Sequence, residues 1–237
     1  MPATTEPPVA AADGRELRWK AHREQRRTDI LDAAVKVIQA GPVGSELSLQ
    51  AVADRAGIRR NVLYRYFSDK HELHRAVNVH IADQMWDTFW PTITLTGSTR
   101  EITGRIIAAI VGWVGDNPNL YASIETEIGD GRRSEMQQRI GELSTVVVDF
   151  IRAGLELLGS EMSKADLRAL DLIGFGITGQ VRGTLQHWAT DLSSDRGSVS
   201  KTALIHLMRD SIVFLLEGHA RVLGLDFDAD APLPDLS

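Results

Sequence analysis

An all-α fold is what this sequence predicts, on three observations. Apolar residues recur at intervals of three and four along nearly the whole chain, the spacing that gathers them on one face of a helix. Clusters of Gly, Pro, Ser and Asp punctuate these stretches where helices must start and stop. No run of alternating polar and apolar residues flanked by turns occurs, so no strand is expected.

The elements follow in order. Over 24–40, Ile30, Ala34, Val37 and Ile38 make one apolar face, and Gly41-Pro42 stops that helix. Ser48 is a good N-cap for a second helix, in which Leu49, Val52, Ala53 and Ala56 repeat the spacing. Gly57 supplies a sharp turn, because glycine tolerates positive φ. A third helix is predicted over 59–67. Asp69 and Glu72 have capping-box spacing and open a fourth, which runs to Trp90 and is ended by Pro91. Ser98 and Glu101 form a second capping box, starting a helix that reaches Gly115. A short helix is predicted over 118–128 and long ones over 133–158, 164–190 and 199–223. No internal repeat is present. The two ends, a Pro-, Ala- and Thr-rich 1–14 and an acidic, proline-bearing 226–237, are expected as a disordered and a loosely ordered tail.

Composition narrows the function. A chain of 237 residues can bury one large core, or a small and a medium one. No apolar run approaches the roughly 18 residues that a membrane span needs, and the N-terminus lacks the basic head and apolar body of a secretory signal. The chain has no cysteine, which excludes disulfides, thiol catalysis and cysteine-held zinc and suits a cytoplasmic setting. The net charge of −6 conceals a split: residues 15–75 carry 13 Lys and Arg against 8 Asp and Glu, whereas residues 76–237 carry 13 against 22. A basic module joined to an acidic body suggests a nucleic-acid partner for the module.

Residues 49–73, LQAVADRAGIRRNVLYRYFSDKHEL, are the most informative stretch. A short helix, a glycine turn and a second short helix bearing arginines and tyrosines form a helix-turn-helix. That arrangement pushes one helix into the major groove while its neighbours hold phosphates. Arg60 and Asn61 open the recognition helix, where arginine can bridge guanine O6 and N7 and asparagine can bridge adenine N6 and N7. For Arg59, phosphate or solvent contact outweighs base readout. Tyr64 and Tyr66 fit phosphate contacts through their hydroxyls, whereas Leu63 and Phe67 are core candidates. Lys70, in the first turn of the fourth helix, can meet a phosphate, and Ser48 joins the DNA-contacting set. The segment 15–27 carries six basic residues on a helix or arm, which follows the backbone, enters a minor groove, or is simply a solvated charged face.

With these residues in place, 26–75 resembles the N-terminal domain of tetracycline-repressor-type (TetR) transcriptional regulators. The resemblance rests on RRTDILDAAVKVIQAG, on LQAVADRAGI and above all on LYRYFSDKHEL. It covers about a fifth of the chain by motif; the length and helical character of the remainder look like the family without a signature. The resemblance implies a three-helix DNA-binding domain joined by helix 4 to a larger helical domain that binds a small molecule and dimerises. Ligand binding then moves helix 4, changes the spacing of two recognition helices and releases DNA. One departure stands out. Where the family often has a Ser N-cap, then Lys and a small residue, this chain has Arg59, Arg60 and Asn61, so the cap must come from elsewhere and the operator is distinct.

Other signals are weaker. Gly174, Gly176 and Gly179 match a G-x-G-x-x-G dinucleotide fingerprint, but no strand precedes them, and close helix approach is the simpler reason for the glycines. The run His71-Glu72-Leu73-His74 lacks the i, i+4 histidine pair of zinc proteases. No nucleophile motif appears, so an enzyme is not expected, nor a cofactor or metal. The aromatic residues Trp86, Phe89, Trp113, Tyr121, Phe150 and Phe175 could line a cavity for a largely apolar effector, such as a lipid, acyl thioester or aromatic compound, though core packing claims some of them. Arg182 could answer an acidic head group or pair with an acid.

The sequence therefore predicts a tail at 1–14, a DNA-binding domain at 15–68, an effector-binding and dimerisation domain at 69–225 and a tail at 226–237. Helices 164–190 and 199–223 would pair with their two-fold mates through Leu204, Leu207, Met208, Ser211 and Leu215. The expected function is a homodimeric repressor released from a pseudo-palindromic operator in double-stranded DNA; the alternative is a constitutive architectural DNA-binding protein without an effector.

Overall fold

A computed structural model of the protein describes residues 9–89, 91, 94, 96–129, 135–157, 163–192 and 198–233. Among the described residues there are nine helices and no strand: α1 Val9–Ala40, α2 Leu49–Arg55, α3 Arg60–Leu63, α4 Lys70–Phe89, α5 Thr99–Asp116, α6 Pro118–Gly129, α7 Glu135–Leu157, α8 Lys164–Leu192 and α9 Lys201–Val222. The order and type of every predicted helix are present. The chain forms two compact units, one ending at Val77 and the other taking up the chain from Asn78, so the division falls inside α4. None of the described helices is long and apolar enough to cross a membrane.

The first unit is built on α1, whose Ile30, Leu31, Ala34, Val35 and Ile38 are buried. Val52 and Ala53 of α2 and Leu63 of α3 are buried too, as are Phe67, Leu73 and Val77. Full burial of a side chain of this size stabilises by roughly 1.5–3 kcal/mol. Ser48 caps α2, its hydroxyl accepting from the Ala51 amide. Gly57 turns the chain at φ 65°, where a side chain would be strained. Two expectations are corrected here. Helix α1 starts at Val9, so residues 9–14 are helical rather than tail; residues 1–8 lie outside the described set. The third helix is shorter than 59–67. The Tyr66 and Phe67 amides both donate to the Leu63 carbonyl, at 2.9 and 3.0 Å, which closes the last turn and ends the helix.

In the second unit α5 packs on α9 and α7 on α8. The core gathers Ile107, Val111 and Val114 of α5, Ile177, Leu185 and Trp188 of α8, and Leu204, Met208 and Ile212 of α9. Ser98 and Glu101 form the expected capping box, each side chain bonding the other's backbone amide. Trp188 donates its indole N–H to the Val199 carbonyl at 2.8 Å, so burial of the ring leaves no orphaned donor.

The C-terminal segment departs from expectation. A loose tail is expected over 226–237, yet Ala229 is fully buried and its carbonyl accepts from the Arg100 amide at 3.0 Å. The Leu233 amide donates to the Gly97 carbonyl at 3.0 Å, and Pro232 bridges Ser98. The Arg100 guanidinium holds Asp230 at 2.7 Å, Asp210 at 3.3 Å and Glu217 at 3.7 Å. One acidic residue that reads as solvated tail, Asp230, is thus a partner of Arg100, which it shares with Asp210 and Glu217 of α9. Residues 234–237 are outside the described set.

The glycines of α8 divide by face. Gly174 is buried, and a Cβ on it would stand 2.3 Å from Val148 Cγ2 and 3.3 Å from the Ser144 carbonyl oxygen. It is therefore what lets α7 and α8 approach. Gly176, Gly179 and Gly183 are exposed, and a Cβ on any of them would meet nothing within 4 Å. We expect Gly174→Ala to destabilise the fold by about 1–3 kcal/mol through overpacking, against a helix-propensity gain of only about 1 kcal/mol. Gly112→Ala in α5, where the added Cβ meets nothing within 4 Å, should be neutral or stabilising. Urea denaturation of both variants checks the contrast; equal effects would remove the close-approach account.

Candidate nucleic-acid interface

The recognition element is held from below and open above. Leu63 and Phe67 are each 2% exposed and anchor α3 in the first unit. Arg27 of α1 lies over the Phe67 ring at 4.9 Å from its centroid, so a residue of the basic segment serves the core as a cation–π partner. Opposite the anchors, Arg59, Arg60 and Asn61 are exposed, Tyr64 is half-exposed and Tyr66 half-buried. The helical spacing decides this split: Leu63 and Phe67, four apart, take one face, and the residues around them take the other. Arg59 stands at the N-cap position and makes no side-chain cap bond, as its chemistry requires.

Ser48, Arg60 and Lys70 come together. They line one concavity of about 310 Å³ with Glu46, Leu47, Leu49 and Gln50. Sequence reasoning missed Glu46. Its carboxylate, though exposed, takes up the Lys70 ammonium, and that bond and charge hold it below the usual carboxylate range. No local motif signals the pair, whose partners are 24 residues apart. Asp69 caps α4 by accepting from the Glu72 amide at 2.7 Å, and Glu72 reaches back to the Ser68 amide at 2.6 Å. These bonds fix the first turn of α4, and so the position of Lys70. The basic segment 15–27 is helical, a continuous part of α1, and its Leu17 and Trp19 are exposed.

The candidate effector residues lie in the second unit and do not form one site. Phe89 is buried and meets Trp113 edge to face, with centroids 6.4 Å apart; Trp86 is half-buried. Tyr121 is buried in the core cluster, against which Trp113 also packs. The Tyr121 hydroxyl donates to the Arg182 carbonyl at 3.4 Å, and Arg182 holds Glu125 at 3.1 Å. Burial pushes the Tyr121 phenol and the Glu125 carboxyl up, in the latter case against the pull of Arg182. Arg182 thus already has an acid. Phe150 lines a different cavity, between α7, α8 and α9. Phe175 is corrected outright: it is 53% exposed, because the buried stripe of α8 runs through Leu170, Gly174, Ile177 and Leu185 and turns it outward. The α9 stripe is corrected likewise. Leu204 and Met208 are buried in their own unit, whereas Leu207 and Phe214 are 57% and 65% exposed.

Comparison with known proteins agrees with this geometry. Residues 30–77 match the family model for bacterial regulatory proteins of the tetR family. An uncharacterised HTH-type transcriptional regulator of Mycobacterium tuberculosis is 25% identical over 201 residues, covering 82% of this chain and 80% of that protein. Among solved structures, a tetR-family transcriptional regulator from Streptomyces coelicolor superposes with a TM-score of 0.60 at 19% identity, over 84% of this chain and 83% of that one. The regulator FadR from Bacillus subtilis, solved in complex with stearoyl-CoA, does so with a TM-score of 0.56 at 18% identity, over 81% and 98%. With the helix-turn-helix in the matched region and a helical body behind it, the chain is similar to tetR-family transcriptional regulators in its N-terminal domain and in its helical fold.

Proposed function

We propose that the protein is a homodimeric repressor that binds a pseudo-palindromic operator and is released by a small, largely apolar effector. The observation that carries the DNA part is the division of one short helix: Leu63 and Phe67 are buried beneath it while Arg59, Arg60, Asn61 and Tyr64 are presented above. Arg60 and Asn61 read base edges; Arg59, Tyr64, Tyr66, Lys70 and Ser48 contact phosphates. A cytoplasmic location follows from this role.

The dimer is supported by an apolar face that the protomer leaves open. Leu172 and Phe175 of α8 and Leu207, Phe214 and Val222 of α9 are all more than half exposed. Gly176, Gly179 and Gly183 on α8 leave room for a close neighbour. Pairing with the two-fold mates as a four-helix bundle would cover this face. The effector part is supported by the Phe89–Trp113 pair and by Tyr121, which shares a core cluster with Trp113 and donates to the Arg182 carbonyl; an acidic head would have to displace Glu125 from that arginine. The stearoyl-CoA of the FadR structure makes a lipid or acyl thioester a reasonable first class to try. Helix α4 carries Lys70 at one end and Phe89 at the other, so a ligand that favours one placement of α4 changes DNA affinity, and DNA changes ligand affinity by the same factor.

Selection from a random duplex pool should enrich an inverted repeat. On that site Asn61→Ala should relax preference at one base pair per half-site, by about 1–3 kcal/mol, whereas Tyr64→Phe should weaken all sequences alike. A pool with no enriched repeat defeats the operator reading. Glu46→Gln should raise affinity for any duplex by freeing Lys70, and Lys70→Gln should lower it and reduce the salt slope by about 1, as measured by fluorescence anisotropy at several salt concentrations. Leu207→Asp with Phe214→Glu should yield monomers in sedimentation and a large loss of operator affinity, because two half-sites no longer bind as one unit; a variant that stays dimeric places the interface elsewhere. Acyl thioesters and aromatic compounds that bind by tryptophan fluorescence should shift operator affinity by about 1–3 kcal/mol. Binders that leave it unchanged would point instead to a constitutive architectural role.

A further inference from the structure

Beneath residues 226–233, among α7, α8 and α9, lies a cavity of about 240 Å³. Its walls include Leu155, Leu170, Ile173 and Leu216, and its roof Phe227 and Pro232. Apolar cavities of about 150 Å³ with such walls stay dry and admit benzene. This one has room for a fused bicycle or a ring with a short chain.

Two further observations make it more than a packing defect. Gly154 stands in the interior of α7 and lines the cavity, and a Cβ added to it meets nothing within 4 Å. Glycine weakens a helix relative to alanine, and no neighbour among the described residues requires it here, so the space beside it is open for another molecule. The second observation is charge. Among the described residues the ionisable ones of the lining are His219, Asp226 and Asp228, with no lysine or arginine. Asp228 is fixed at the rim because its Oδ1 accepts from the Asp230 amide at 2.9 Å. Nearby Arg100 already serves Asp230, Asp210 and Glu217. The polar edge therefore accepts hydrogen bonds and positive charge, and it repels a carboxylate or a phosphate.

We propose that this cavity is a binding site for a small lipophilic cation. An aromatic or branched aliphatic body sits among Leu155, Leu170, Ile173 and Leu216, under Phe227. An ammonium or amidinium head meets Asp226 and Asp228. The site is separate from the aromatic group around Phe89 and Trp113, with only Phe150 of the expected effector residues in its lining, and it does not depend on the repressor reading. The segment 226–233 roofs the site, so a bound cation ties that segment down.

The test uses the full chain without DNA and two probes with one body, 1-naphthylmethylammonium and 1-naphthylacetate, titrated by calorimetry near neutral pH. The ammonium should bind once per protomer, about tenfold or more tighter than the carboxylate, and should slow amide exchange at Leu233. Asp226→Asn with Asp228→Asn should remove that preference. Gly154→Leu should abolish binding by filling the cavity, and Gly154→Ala, which the helix favours, should weaken it while leaving the fold intact. Failure of the ammonium to bind, equal binding of the two probes, or binding that survives both Gly154 variants at wild-type strength would overturn the proposal.

Discussion

A helix of four residues does not form by itself in water, because one hydrogen-bonded turn returns too little for the dihedrals it fixes. Helix α3 exists because Leu63, and Phe67 just beyond its end, are buried in the first unit, where α3 packs on α2. The candidate nucleic-acid interface rests on that burial. It sets which side of Arg60 and Asn61 is presented, places Tyr64 in solvent and brings the chain to Ser68, where Glu72 catches the backbone and α4 begins. Arg27 strengthens the same point from the far side by covering the Phe67 ring. Buried residues thus determine how the exposed Arg59, Arg60, Asn61 and Tyr64 are presented.

The second unit solves a different problem, the pairing of long helices. Here the constraint is closeness. Gly174 gives up a side chain so that Val148 and the Ser144 carbonyl can come within contact of the α8 backbone. The outward glycines of the same helix have no such partner inside the protomer, and they share their surface with exposed leucine and phenylalanine. One helix thereby carries two kinds of apolar face, one satisfied within the chain and one open.

Much of this is legible in the sequence, and the rest is not for identifiable reasons. Helix positions follow from periodicity, caps and glycine or proline stops, all local features, as Ser48, Ser98 and Pro118 illustrate. The anchors Leu63 and Phe67 are legible too, because apolar residues amid arginines and tyrosines leave little choice. Periodicity does not say which apolar face is inward when a helix has two. For that reason Phe175 reads as a cavity residue in the sequence, and Leu204 and Met208 group with Leu207. The Glu46–Lys70 pair and the Arg100 cluster join distant segments and have no local signature. The acidic tail misleads in the same way, since charge in a sequence looks solvated until its partner is found.

That tail has a property unlike the rest of the molecule. Helices α5, α7, α8 and α9 are held by buried hydrocarbon, whereas residues 226–233 are held by buried Ala229, two backbone hydrogen bonds and an ion pair between Asp230 and the Arg100 guanidinium, which also serves Asp210 and Glu217 of α9. Arg100 holds the Asp230 and Asp210 carboxyls below their ordinary value of 3.8, joined at Asp210 by a stronger pull from Arg209. The stability they lend is complete above that value and is lost as pH falls through the lowered one. Salt weakens the same contacts by screening and leaves hydrocarbon burial untouched. Acid and ionic strength therefore act selectively: they loosen the Arg100–Asp230 pair, one of the ties on residues 226–233, and leave the burial of Ala229 and of the helical core in place.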